Sequence, residues 1–407
     1  MDPTGPRRWQ PTDLSEPSRE PPVRLLTGIW GLLALNTLGS LGAQTLLPLP
    51  RPVWQLFTMG AVAVAFLLAL LINPRLQIRP SAFLLLLTLL LILSIGSSLR
   101  LESGVGALIR CARLALFVAT LWLLTCWWDN GMTFVRYHIR VLGLVLLTVA
   151  AGLATGPGAL DPEGRLVGIV WPLTAPQVAQ YSAVVTGLTI ILWLTRLTDG
   201  RSVAIFVPPS LVLLFLSHTR TATVGLLVGL AVATLSLMLS SARARRAFTR
   251  TLLAAGLVAI TFGPAIAVWF RRGQDQESLS NLTGRQKVWD ALLAAPRSTG
   301  EQLFGVGLTN RSFGGLAIDN SWLAVYQDQG LVGCAIVAAF LVTLIVAVVL
   351  RPPSPAKACA MFLVVYCLVA SYTEAGLGDA SPYLLNLVVA AALLAGPGRA
   401  EPPPGSQ

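Results

Sequence analysis

This chain has little charge. Only 12% of its 407 residues are Asp, Glu, Lys or Arg, where soluble domains carry roughly a quarter. So few charges cannot cover a separate water-facing domain. Lysine is almost missing, with 2 residues against 27 arginines; that bias hints at a GC-rich bacterial genome and says nothing of substrate. There are 2 histidines and 5 cysteines. Cys111, Cys126, Cys334, Cys359 and Cys367 all fall in or beside apolar stretches and read as small buried hydrophobes. No CxxC, His-rich cluster or carboxylate loop suggests a metal site. No Walker loop or dinucleotide fingerprint points to a nucleotide, so no cofactor is expected. No basic stripe alternates with stacking aromatics, which argues against a nucleic-acid partner. No internal repeat is visible, which weakens a repeat-built transporter.

Long apolar runs are abundant. Hydrophobic residues make up 55% of the chain, in runs of about 20 residues, each long enough to cross a bilayer as a helix. The fold class is therefore an all-α membrane protein, with the lipid bilayer as its first partner. About twelve spans are predicted, near 25–47, 53–73, 81–98, 107–128, 139–155, 176–195, 202–218, 220–240, 251–270, 329–350, 357–373 and 380–396. Pro208-Pro209 predicts a kink or break in the seventh span. The seventh and eighth are separated by almost nothing, so they form a tight hairpin or one does not fully cross. Residues 1–24 and 397–407, rich in Pro and charge, read as disordered tails. The first is not a cleavable signal, because the apolar run starts late. With the N-terminus in the cytoplasm, 17 of 29 basic residues fall on the inner side and 10 on the outer. That bias predicts both termini inside, in a bacterial cytoplasmic membrane. The net charge of +11 then reflects topology.

On this topology residues 271–328 form one large outer loop between spans nine and ten, the only long polar segment between apolar runs. Within it, 286–295 carries Val288, Leu292 and Leu293 at helical spacing. That predicts a short amphipathic helix on the membrane surface, with Arg285 at its N-terminal, anion-attracting end. Charges near the apolar spans are the other signal, since burying them is costly. Arg110 and Arg113 share one face of span four; they either snorkel to the interface or form a buried anion site. Arg220 opens span eight among Ser217, Thr219 and Thr221, a plausible phosphate-oxygen binder. His218 reads as an interface polar residue. Arg165 lies in an outer loop rich in Gly and Pro, as a solvated arginine or a site member. Glu374 and Asp379, between the last two spans, read first as solvated loop acids.

Four segments together resemble the O-antigen ligase and O-antigen polymerase superfamily of polytopic membrane glycosyltransferases. They are RLVGIVWPLTAPQVAQY (165–181), SHTRTA (217–222), TGRQKVW (283–289), and GVG (305–307) followed by IDNSWLAVYQDQGLVG (318–333). Each is short and degenerate; their order, spacing and the outer loop carry the likeness over about 160–350. Two positions depart from the pattern: Asp319 stands where family ligases commonly carry His, and Gln177 follows Pro176 where the family has Asn.

The resemblance implies a polyprenyl-diphosphate-linked glycan donor at the outer leaflet and a glycan or lipid acceptor. An acceptor hydroxyl would displace the lipid diphosphate without a metal. Arg220 and Arg285 match motif positions and are first choices to hold the diphosphate, because guanidinium grips phosphate oxygens in paired hydrogen bonds. Arg165, Asn320, Arg110 and Arg113 are candidate substrate-binding residues. Asp319 is the candidate base, or else the cap of the helix beginning near Ser321. Polymerase and ligase remain open. Two other readings stand beside them: a transporter of a lipid-linked or anionic solute, with Arg110, Arg113 and Arg220 lining the path, and a peptidoglycan-type polymerase of another membrane family.

Overall fold

A computed structural model describes residues 22–38, 45–46, 50–99, 104–238, 285–309 and 311–396, with isolated positions between 245 and 268. Residues 1–21 and 397–407 of the expected tails, almost all of the ninth span and the 271–284 part of the expected outer loop lie outside the described residues. Val23 and Arg24, expected in the tail, already belong to the first helix. The described part is mostly helical. Its helices are α1 (Val23–Thr37), α2 (Arg51–Ile72), α3 (Ala82–Leu99), α4 (Gly104–Leu124), α5 (Thr133–Thr155), α6 (Ala175–Leu194), α7 (Gly200–Leu216) and α8 (Arg220–Met238). Then come α9 (Arg285–Ala294), α10 (Thr299–Phe304), a two-residue hairpin of β1 (Ser312–Phe313) and β2 (Leu316–Ala317), α11 (Ser321–Leu350), α12 (Pro355–Ala370) and α13 (Pro382–Leu394).

Seven helices are long and apolar enough to cross a membrane: α2 to α6, α8 and α11. Shorter apolar helices are α1, α7, α12 and α13. All eleven overlap predicted spans, but α1 is shorter than the expected 25–47: it ends at Thr37, and Leu38 is already extended. The helix starts are written locally. Thr174 and Gln177 form a capping box at α6, and Ser354 and Ser381 accept from Lys357 N and Leu384 N at α12 and α13. A proline follows each cap, where its missing N–H costs nothing. For the seventh span the expectation was a kink or a break, and the break is absent. α7 runs unbroken through Pro208 and Pro209; proline φ is compatible with a helix, and the break predicted from the two lost donors does not occur.

α6 and α13 are buried along almost their whole length, so they are sheathed by other helices. α6 packs on α5, α7, α8 and α12, and α8 packs most closely on α12. Gly187 of α6 and Gly229 of α8 let these backbones close in. A Cβ at 187 would sit 2.0 Å from the Phe362 ring, and one at 229 would sit 2.8 Å from it. Small residues at such crossings drive membrane helix association through close packing. α7 and α8 join at Ser217–Thr219, with His218 at φ 50°. They then diverge, α7 onto α6 and α8 onto α12, rather than packing as a hairpin.

α11 begins eight residues before the predicted span, and it kinks at Gly330 (φ 67°, ψ −165°). The predicted start at 329 marks this kink. The segment before it, 321–329, is helical and tucked under residues 303–309. A helix break frees carbonyls, which must find donors in a water-poor setting. Here Val306 N–H donates to Gln327 O at 2.9 Å and Gly307 N–H to Asp328 O at 3.0 Å. The two chains cross so tightly that only glycine fits. A Cβ at Gly305 would lie 2.3 Å from Gln329 N, and one at Gly330 would lie 2.4 Å from Leu303 O. The GVG motif thus has a structural job, clasping the broken helix.

Candidate functional site

The connection between α12 and α13, residues 371–381, gathers the segments that the sequence singled out. Ser321 N donates to Ser371 O at 2.9 Å, and Ser321 Oγ donates to Glu374 O at 2.7 Å. Asn320 Nδ2 donates to Tyr372 O at 2.9 Å, while Trp289 meets the Tyr372 ring edge-on at 5.7 Å. The Thr221 and Thr373 hydroxyls lie 2.5 Å apart, which ties the start of α8 to the same strip. Leu166 N donates to Leu216 O at 3.0 Å, bringing the Arg165 loop against the α7–α8 turn. Segments 150 residues apart in sequence meet at one place.

The chemistry there centres on Arg285. Its Nε lies 3.1 Å from Asp319 Oδ2 and its Nη2 3.7 Å from Glu374 Oε1. One guanidinium thus bridges two carboxylates. Side-chain exposure falls from 41% at Asp319 to 25% at Arg285 and 14% at Glu374, so the three run inward from the surface. Burial pushes the Glu374 carboxyl up to about 7; Arg285 and Arg165 pull it down, and Asp319 pushes it further up. A buried carboxyl in that range gives up and takes back a proton near neutral pH. Arg165 therefore shares this field, although its own ion pairs are with Asp161 at 2.9 Å and Glu163 at 3.1 Å.

Asp319 and Asn320 separate cleanly. The helix cap is Asn320, whose Oδ1 accepts from Trp322 N at 2.9 Å and Leu323 N at 3.0 Å. With Nδ2 on Tyr372 O, the Asn320 side chain is engaged at both ends and buried. It caps α11 and ties it to the 371–381 connection. Asp319 is thereby free of capping and meets Arg285. α9 forms as predicted, but Leu292 is buried against Ile318 and Ala324, so this helix leans on α11 as well as presenting Leu293 outward.

Arg110 and Arg113 belong to a second cluster. Arg110 Nη1 donates to Leu308 O at 2.7 Å. Arg113 Nη2 donates to Asn36 O at 2.7 Å and Ala380 O at 3.3 Å. Arg311 pairs with Asp379 at 3.3 Å and also reaches Ala375 O and Ala380 O at 3.4 Å. Asp328 accepts from Thr309 N at 3.1 Å and Thr309 Oγ1 at 2.6 Å. These groups tie α4, the 305–311 loop and the far end of the 371–381 connection together. Arg110 and Arg113 reach inward to backbone carbonyls of other segments, so Arg113 in particular is an internal tie rather than a side chain snorkelling to the interface.

No family model matches this chain, and neither does any curated protein. The site therefore stands on its own geometry. Glu374 and Asp379 overturn their first reading as solvated loop acids: they are 14% and 13% exposed and both are ion-paired. The usable signal was their position, in an eleven-residue connection between two apolar helices. Among the described residues no group of three or more His, Cys, Asp or Glu side chains is placed to hold a metal ion.

Proposed function

We propose that this chain is a membrane glycan transferase. It moves a glycan from a polyprenyl-diphosphate donor to an acceptor hydroxyl on the outer face of the membrane, as a polymerase or a ligase. The supporting observation is convergence: Thr221 at the start of α8, Arg285, and Asn320 and Ser321 beside Asp319 all meet the 371–381 connection, while the Arg165 loop packs on the neighbouring α7–α8 turn. Arg285 is the diphosphate clamp, with Arg220 and Arg165 as its partners. Preorganised guanidinium groups in a water-poor site stabilise a departing diphosphate by a few kcal/mol each. Asp319 orients the acceptor hydroxyl from the more exposed side of Arg285. The transporter reading has less support, because Arg110 and Arg113 are committed to Leu308, Asn36 and Ala380 carbonyls rather than open to a path.

The test is the lipid-linked glycan profile of a strain lacking this chain. Unpolymerised or untransferred lipid-linked glycan accumulates, and the full chain reverses it. An unchanged profile refutes the reading.

A further inference from the structure

Arg285 holds two carboxylates, and they are not equivalent. Asp319 sits 3.1 Å from Arg285 Nε, a charge-assisted hydrogen bond to one of its two oxygens; such a bond favours the ionised form of a carboxylate and makes it a weaker base. Glu374 is 3.7 Å from Nη2, beyond hydrogen-bond length. Among the described residues the Glu374 carboxyl oxygens accept no hydrogen bond from any donor. It is the least exposed of the three groups, and its chain is fixed on both sides: Ser321 Oγ donates to its carbonyl, and Glu374 N donates to Ala370 O at 2.9 Å. Resting on the transferase reading, we infer that Glu374, rather than Asp319, is the base that takes the acceptor proton. The acceptor oxygen forms its bond to the anomeric carbon. The bond from that carbon to the diphosphate oxygen breaks, and its electron pair leaves with the diphosphate. The hydroxyl proton passes to a Glu374 carboxyl oxygen.

The surroundings suit that role. An efficient base titrates near the working pH, and burial lifts Glu374 to about 7 against the pull of Arg285 and Arg165. Asp319 faces it across Arg285 and adds to the lift, while the Tyr366 and Tyr383 phenols lie in its field from α12 and α13. Protonation of Glu374 leaves Arg285 with a single anionic partner, and so frees positive charge as the diphosphate departs. A separate base also accounts for the Asp at 319, since the site then needs no imidazole there.

The full-length chain in detergent, given lipid-linked glycans extracted from the deletion strain, tests this by release of polyprenyl diphosphate. Glu374→Gln lowers release about 10²–10⁴-fold while thermal unfolding stays at or above that of the parent. Glu374→Asp retains partial activity with a displaced acid limb in its pH profile. Sodium azide, an anionic nucleophile that needs no base, restores release in Glu374→Ala and yields a glycosyl azide. Release by Glu374→Gln within threefold of the parent overturns the assignment. So does a folded Glu374→Ala that azide leaves inactive. If the deletion strain accumulates no lipid-linked glycan, the transferase reading fails first, and the base assignment with it.

Discussion

Arg285 and its two carboxylates set the residue-scale predictions. Arg285→Lys keeps one positive charge but loses the planar fork that spans both acids. Transfer in the complemented deletion strain should fall by more than tenfold at unchanged protein level. Asp319→Asn should express normally and abolish detectable transfer, read in the same strain; near-normal product would remove Asp319 from the site. Asn320→Ala offers a contrast. It removes a helix cap worth about 1 kcal/mol, so its loss should appear in thermal unfolding more than in catalysis. Glu374 also makes stability depend on pH. Its carboxyl is raised from 4.5 to about 7 by burial, so the folded state holds the proton more tightly than the unfolded one. That stabilisation is complete below about pH 4.5 and fades as pH rises to about 7. The effect is on the order of 3 kcal/mol. Glu374→Gln should flatten the slope of melting temperature between pH 5 and 8, and an unchanged slope would show that another group sets it.

At the scale of elements, the clasp between residues 303–307 and the kink of α11 is the most specific construction. Gly305 and Gly330 both take positive φ, and each would drive a Cβ into backbone. Gly330→Ala should destabilise the chain by several kcal/mol, visible as lost membrane accumulation or a markedly lower melting temperature. The same region shows what sequence could and could not tell. Apolar length located the helices well, because a membrane span must satisfy its own backbone. A helix beginning near Ser321 was expected and is found, whereas the apolar span was placed only from 329, because Gln327, Asp328 and Gln329 lower the hydropathy before the kink. The Asn320 cap and the loop packed over 321–329 hold that first part helical. Likewise Pro208-Pro209 suggested a break that continuous helical geometry absorbs. Arg285 and Asp319 stood out from motif spacing, and the structure pairs them. Glu374 and Asp379 were singled out but read as solvated, since acids in a short connection look exposed until distant segments close over them.

For the whole molecule, the described helices make a multi-pass membrane protein with α6 and α13 at its centre. The bias of arginine predicts that the 271–328 loop faces outward, and labelling tests it. A single cysteine at Leu293, which is 61% exposed on α9, in a chain with its five native cysteines replaced, should react with a membrane-impermeant thiol reagent on intact spheroplasts. Labelling only after lysis would invert the topology and put the candidate site on the cytoplasmic face.

The gathering of distant segments on residues 371–381 has a consequence for biogenesis. In chain order this strip follows every segment that it collects, so the ribosome makes it after all of them. A nascent chain that already holds Arg165, Arg220 and Arg285 still lacks Glu374 and the carbonyls that anchor Asn320 and Ser321. The charged cluster closes only once α12 and α13 have followed.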